Sequence, residues 1–83
     1  MIITSKTPKL DLHNEIEAMV EVLVNEFISD NVKLKNEVVI IIHGKSSHIV
    51  KNRLYEVLKN NKSVKLYKVD NWNVGQTIAE LKI

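Results

Sequence analysis

Apolar and polar positions first alternate at "KLDLH", residues 9–13, where Leu10 and Leu12 share one face and Asp11 and His13 the other. A period of two is the signature of a strand, and Pro8 marks its entry. The period then changes. Ile16, Met19, Val20, Leu23, Phe27 and Ile28 recur at intervals of three and four, widened by Val24, with Glu15, Glu17, Glu21 and Glu26 between them. This spacing predicts an amphipathic helix over roughly 15–30, with Asn14 as N-cap, Glu17 completing a capping box, and Asn31 in the left-handed position at its end. "EVVIIIH", residues 37–43, holds five consecutive β-branched residues without alternation, which predicts a central strand buried on both faces.

A second helix is expected after Gly44, capped by Ser46 or Ser47. Val50, Leu54, Val57 and Leu58, helped by Ile49, form its apolar face, and Lys51, Arg53 and Lys59 point outward; "NNKS", residues 60–63, closes it. "VKLYKVD", residues 64–70, and "QTIAELKI", residues 76–83, read as two more strands joined by the loop "NWNVG". The order β-α-β-α-β-β implies an α/β layer architecture with crossover connections, a four-stranded sheet and two helices.

The 83 residues suit one domain, divided here into a short N-terminal leader, 1–8, and the domain proper, 9–83. There are no cysteines, so neither disulfides nor thiolate metal sites contribute. No apolar run approaches the ~20 residues that span a bilayer, and the start lacks the apolar stretch of a signal peptide. A soluble, cytoplasmic domain with no membrane partner is expected. Charge changes the picture further. Residues 1–43 carry four lysines against seven acids, a net of −3; residues 44–83 carry seven lysines and one arginine against three acids, a net of +5. A basic half attracts phosphate, and it also solvates exposed helix and strand faces.

Three places hold candidate chemistry. The strand 37–43 delivers His43 and Gly44 to the start of a helix, where free N–H groups and the positive dipole end favour phosphate. Lys45 adds charge; Ser46, Ser47 and His48 add hydrogen-bonding groups. Any strand-to-helix turn shares the backbone part of this description. Asp11 and His13, two apart on a strand, project together. If that strand lies parallel to 37–43, His13 and His43 share the sheet edge where α/β proteins hold ligands, and an aspartate with two histidines would surround a phosphate. The same side chains could form a zinc site, but their spacing matches no compact ligand motif; a serine-histidine-aspartate triad lacks flanking elbow glycines. No metal site is assigned. Trp72, in the last loop, either stacks on a base or packs locally.

"LDLH" before the first helix, "VIIIHGK" before the second and "VGQTIAEL" at the end together resemble the small MutS-related (Smr) domain family, over about residues 9–83. The resemblance implies a two-layer α/β sandwich similar to the C-terminal domain of bacterial translation initiation factor three. It also implies nucleic-acid binding, often with endonuclease activity: relatives nick DNA or cleave RNA, including messenger RNA on stalled ribosomes. The family's DLH acid and histidine correspond to Asp11 and His13, and its HG motif to His43 and Gly44, with Lys45 beside them. Three glycines of the family pattern are replaced. Asn14 follows the first histidine, Ser46 stands two residues past the HG pair, and "SSH" occupies a usually glycine-rich loop.

The leading expectation is therefore a nucleic-acid-binding Smr-like domain with endonuclease activity, by RNA transesterification or phosphodiester hydrolysis. Asp11 and His13 are its catalytic residues; His43, Gly44, Lys45, Ser46, Ser47, Lys51 and Arg53 contact the nucleic acid. No cofactor is expected on RNA, and a divalent cation is expected if DNA is the substrate. The partner is RNA or DNA, with a ribosome as one setting. The alternatives are a non-catalytic DNA- or RNA-binding module and a protein-interaction module that pairs through an edge strand at 76–83. The sequence leaves the oligomeric state open.

Overall fold

The computed structural model describes residues 2–45 and 48–83. Its elements are β1 (Lys9–Asp11), α1 (Glu17–Lys33), β2 (Val38–Ile42), α2 (His48–Asn60), β3 (Val64–Asp70) and β4 (Asn73–Leu81). The four strands form one sheet in the order β1-β2-β4-β3. β1 runs parallel to β2, and β4 is antiparallel to both β2 and β3. The order β-α-β-α-β-β and the two-layer sandwich are those expected.

One face of the sheet carries the core. Val20, Val24 and Ile28 of α1 and Val50, Leu54, Val57 and Leu58 of α2 form a single buried cluster with Leu12, Val39, Ile41, Val64, Ala79 and Leu81. Full burial of each Val, Leu or Ile among them contributes about 1.5–3 kcal/mol. The register runs Leu10 opposite Ile41 opposite Thr77, and Val39 opposite Ala79 opposite Tyr67. The intervening positions, Lys9, Asp11, Ile40, Ile42, Gln76, Ile78 and Lys68, therefore belong to the other, helix-free face. Ile40 and Ile78 are buried there too, so β2 is central and covered on both sides, as its unbroken apolar run predicts. The segment before β1 contributes to that cover. The Pro8 carbonyl accepts from the Ile40 N–H at 2.9 Å, and Ile3 lies beside a pocket that Ile78 also lines.

Several boundaries differ from expectation. α1 begins at Glu17 after an extended Ile16, with no side-chain cap; the Asn14 capping box does not form. Residues 12–15 make a turn instead, the Glu15 N–H donating to the Leu12 carbonyl at 3.0 Å, which carries the chain from the sheet to the helical layer. Ile16 and Met19 are consequently exposed, as is Ile49 of α2. At the other end α1 passes through Asn31, which is buried and helical. Its side-chain amide donates to the Phe27 carbonyl at 2.8 Å. The left-handed residue is Lys35, at φ 63°. Around it the Lys35 N–H reaches the Val32 carbonyl and the Asn36 N–H the Asn31 carbonyl, the paired bonds of a Schellman ending.

The last hairpin is tighter than expected. β4 begins at Asn73, so only Asn71 and Trp72 separate it from β3. β4 is also a central strand, and the sheet edges are β1 and β3. Residues 76–83 thus present no free edge for a partner strand.

Candidate functional site

β1 and β2 run the same way, and β3 runs with them because each is antiparallel to β4. The C-terminal ends of β1, β2 and β3 therefore share one sheet edge, which gathers Asp11 and His13, the His43–Lys45 turn and the Asn71–Trp72 hairpin.

Asp11 and His13 form the tightest polar contact at this edge. His13 Nδ1 lies 2.6 Å from Asp11 Oδ1, and the His13 backbone N–H donates to the same oxygen at 3.0 Å. The two side chains are about half exposed, 54% for Asp11 and 49% for His13. The His13 side-chain bond, then its backbone N–H, hold the Asp11 carboxyl below its ordinary pKa. An ionised carboxylate only accepts, so Nδ1 carries a proton towards it, and in the neutral ring Nε2 is the nitrogen with the lone pair. Nε2 has no hydrogen-bond partner among the described residues.

Behind this pair the backbone is crowded. Gly44 has φ +86°, a conformation that costs an L-residue about 1–2 kcal/mol. A Cβ there would meet His13 Cβ at 3.4 Å, and one on Gly75 would meet Lys45 Cγ and Asn73 Oδ1 at 3.2 Å. The three sequence motifs thus converge: His13 abuts Gly44, and Lys45 lies over Gly75. A local irregularity in β4 makes this possible. Val69 pairs with Thr77 and Asp70 with Asn73, so residues 74–76 bulge towards β2. The Gly75 carbonyl then accepts both the His43 and the Gly44 N–H at 2.9 Å. Those amides are committed inside the protein, contrary to the expectation that the Gly44 backbone is open to phosphate.

His43 is at the same edge but on the opposite face. Asp11 pairs with Ile42, so the next position, His43, falls in line with Leu12 on the helix side. Its ring is fully buried, at 0% exposure. Nδ1 lies 3.0 Å from the Gly44 carbonyl and Nε2 2.9 Å from Thr77 Oγ1; Thr77 Oγ1 in turn lies 3.2 Å from the Tyr55 hydroxyl. Burial lowers the His43 pKa; the Gly44 bond opposes this and the Lys51 charge adds to it. For a neutral ring the directions follow: Nδ1–H donates to the carbonyl, Thr77 donates to Nε2, and Tyr55 donates to Thr77. The expectation that both histidine rings surround one phosphate is not met. His43 holds the Gly44 turn from beneath.

The remaining expected contacts are dispersed. Lys51 places its ammonium 5.7 Å from the Tyr55 ring centre. Arg53 pairs with Glu21 of α1 at 3.5 Å and with Glu56 at 3.9 Å, so its charge is already met within the helical layer. Ser46 and Ser47 lie outside the described residues. Among the described residues no three His, Cys, Asp or Glu side chains gather into a metal-sized group, and no helix is long and apolar enough to cross a membrane. The sequence reading overlooked Thr77 as the partner of His43 and Tyr55 as the partner of Thr77. Thr77 was visible within "GQT", but Tyr55 lies 22 residues from Thr77 in the chain and carries no local signal.

The architecture is that of a two-layer α/β domain with an acid–histidine pair at the C-terminal edge of its parallel strands. The Smr domain family model matches residues 10–82, and the chain belongs to that family. Among solved structures, the Smr domain of Thermus thermophilus MutS2 superposes with a TM-score of 0.87 at 19% identity, covering 93% of this chain and 100% of that one. YdaL, a stand-alone small MutS-related protein from Escherichia coli, gives a TM-score of 0.85 at 24% identity, covering 95% of this chain and 70% of that one. At these identities the likeness is one of fold. No curated protein matches the chain.

Proposed function

We propose that this domain binds nucleic acid and cleaves RNA as an endonuclease, with His13 as general base and Asp11 as the group that orients it. The observation that carries the reading is the 2.6 Å Asp11–His13 contact at an exposed sheet edge. Asp11 fixes the ring and its tautomer, so Nε2 is the atom presented to substrate. Nε2 removes the proton of a ribose 2′-hydroxyl. The oxygen so freed attacks the neighbouring phosphorus, the bond to the 5′-oxygen breaks, and that oxygen leaves with a proton from water. The products are a 2′,3′-cyclic phosphate and a 5′-hydroxyl. Proton transfer by a placed base contributes about 10²–10⁴-fold. Charge on the phosphate is met by Lys45, which follows Gly44 at the same sheet edge.

Membership in the Smr family supports nucleic acid as the ligand, as does the net +5 of residues 44–83. RNA is favoured over DNA because it carries its own nucleophile. On DNA, water would have to attack, and a divalent cation would activate it. A cytoplasmic setting belongs to the same proposal.

The test incubates the purified chain with labelled single-stranded RNA and with supercoiled plasmid, each with EDTA or magnesium. Wild type should cut RNA in EDTA to a cyclic-phosphate end, and Asp11→Asn should not. Equal cutting by Asp11→Asn would remove this pair from the mechanism. Salt-sensitive binding without any product would favour the non-catalytic module, the reading for which the "GKSSH" replacement of a glycine-rich loop argues.

A further inference from the structure

At the far end of the same edge stands Trp72. It is 97% exposed, at the tip of the hairpin between β3 and β4. Single exposed apolar residues are ordinary, but this one is held in place. Asp70 Oδ1 accepts the Trp72 N–H at 2.9 Å, and Asp70 Oδ2 accepts the Gln76 side-chain amide at 2.8 Å. The turn is therefore braced, and the indole projects from a fixed support. Beside it opens a pocket of about 350 Å³, lined by Ile3, Lys68, Asp70, Asn71, Trp72 and Ile78. Lys68 and Ile78 pair across the helix-free face, the face that also carries Asp11. The pocket and the acid–histidine pair thus share one edge and one face.

We propose that Trp72 and this pocket hold one unstacked base of a single strand of nucleic acid whose backbone passes the Asp11–His13 pair. An indole face accepts any base by stacking, and the neighbouring lysine meets the phosphate. Ile3 and Ile78 supply an apolar floor for the ring. From β1 to β3 the sheet order gives three interstrand steps, about 14 Å, or the rise of roughly four stacked nucleotides. A short single strand therefore reaches both places at once, whereas a duplex keeps its bases paired and presents only backbone. This site deepens the nucleic-acid reading above and rests on it.

Trp72 is the one tryptophan of the chain, so its fluorescence reports on this site alone. The experiment titrates the full chain with a fluorescein-labelled single-stranded RNA dodecamer and with the same sequence as a duplex, following dye anisotropy and tryptophan emission together. Single strand should quench Trp72 and duplex should not. Trp72→Ala should weaken single-strand binding by about 5- to 100-fold, and Trp72→Phe by much less. An exposed side chain leaves the fold intact when changed, and unchanged circular dichroism checks this. Binding without quenching, with equal affinity in Trp72→Ala, overturns the base site and leaves the nucleic-acid reading standing. Equal quenching by duplex overturns the unstacked base. No anisotropy change with either probe overturns both readings, and would turn attention to an apolar peptide as the occupant of the pocket.

Discussion

Two adjacent parallel strands each end close to a histidine, and the two histidines have opposite fates. His13 lies half-exposed beside Asp11 with one ring nitrogen open. His43 is sealed beneath the helices, with both nitrogens bonded. The difference is one residue of register. Asp11 pairs with Ile42, so His43 is aligned with Leu12, and His13 with Gly44. Side chains alternate across a sheet, so an offset of one sends the two rings to opposite faces. One ring is open to solvent; the other shapes the turn against which the first one rests.

This contrast makes sharp predictions. The largest is in activity: His13→Ala and Asp11→Asn should each lower RNA cleavage by about 10²–10⁴-fold, measured as the single-turnover rate on labelled RNA. Their stability should stay within about 0.5 kcal/mol of wild type, as for exposed positions. His43→Ala should do the reverse in equilibrium terms. It empties a buried site and strands Thr77, at a cost of about 2–4 kcal/mol in urea unfolding. A His43→Ala protein as stable as wild type would refute its role as a buried brace.

Thr77→Val keeps the volume and removes the central hydroxyl of the chain from Tyr55 to His43. It should cost about 1–3 kcal/mol, because a buried ring nitrogen loses its donor; Thr77→Ser should recover most of that loss. The smallest effect is in pH. Burial holds the His43 pKa below the ordinary histidine value of about 6.5, so the unfolded chain takes up the proton first. The stabilisation is whole above about pH 6.5 and is lost as pH falls from there through the lowered native value. Urea midpoints of wild type should drop across that window, and those of His43→Phe should drop less.

Much of the fold was legible in local pattern. β3 occupies the residues expected, and Val50, Leu54, Val57 and Leu58 are the buried face of α2. The errors fell where tertiary contacts override local preference. "NWNVG" reads as a loop because Asn and Gly favour turns, yet Asn73–Gly75 belong to β4, where Gly75 lies close against Lys45 and the Gly44 backbone. Asn31 looks like a helix end, yet it continues the helix because its buried side chain is satisfied by Phe27 and by the Asn36 amide at 2.9 Å. At the site, the closeness of Asp11 and His13 was visible from their spacing, but β1 ends at Asp11 and His13 lies in the turn that follows, where its backbone N–H donates to Asp11 Oδ1.

By itself, then, the sequence determined the order of strands and helices, the central apolar strand and the Asp11–His13 pair, because each depends on residues close together in the chain. Only the tertiary structure decided which way His43 faces, that Gly75 captures two backbone amides, that Arg53 is spent on α1, and that Trp72 stands beside a pocket on the face that carries Asp11. Those outcomes depend on strand register and on contacts between distant segments. Alternation makes register an all-or-nothing choice of face, and no local pattern records it.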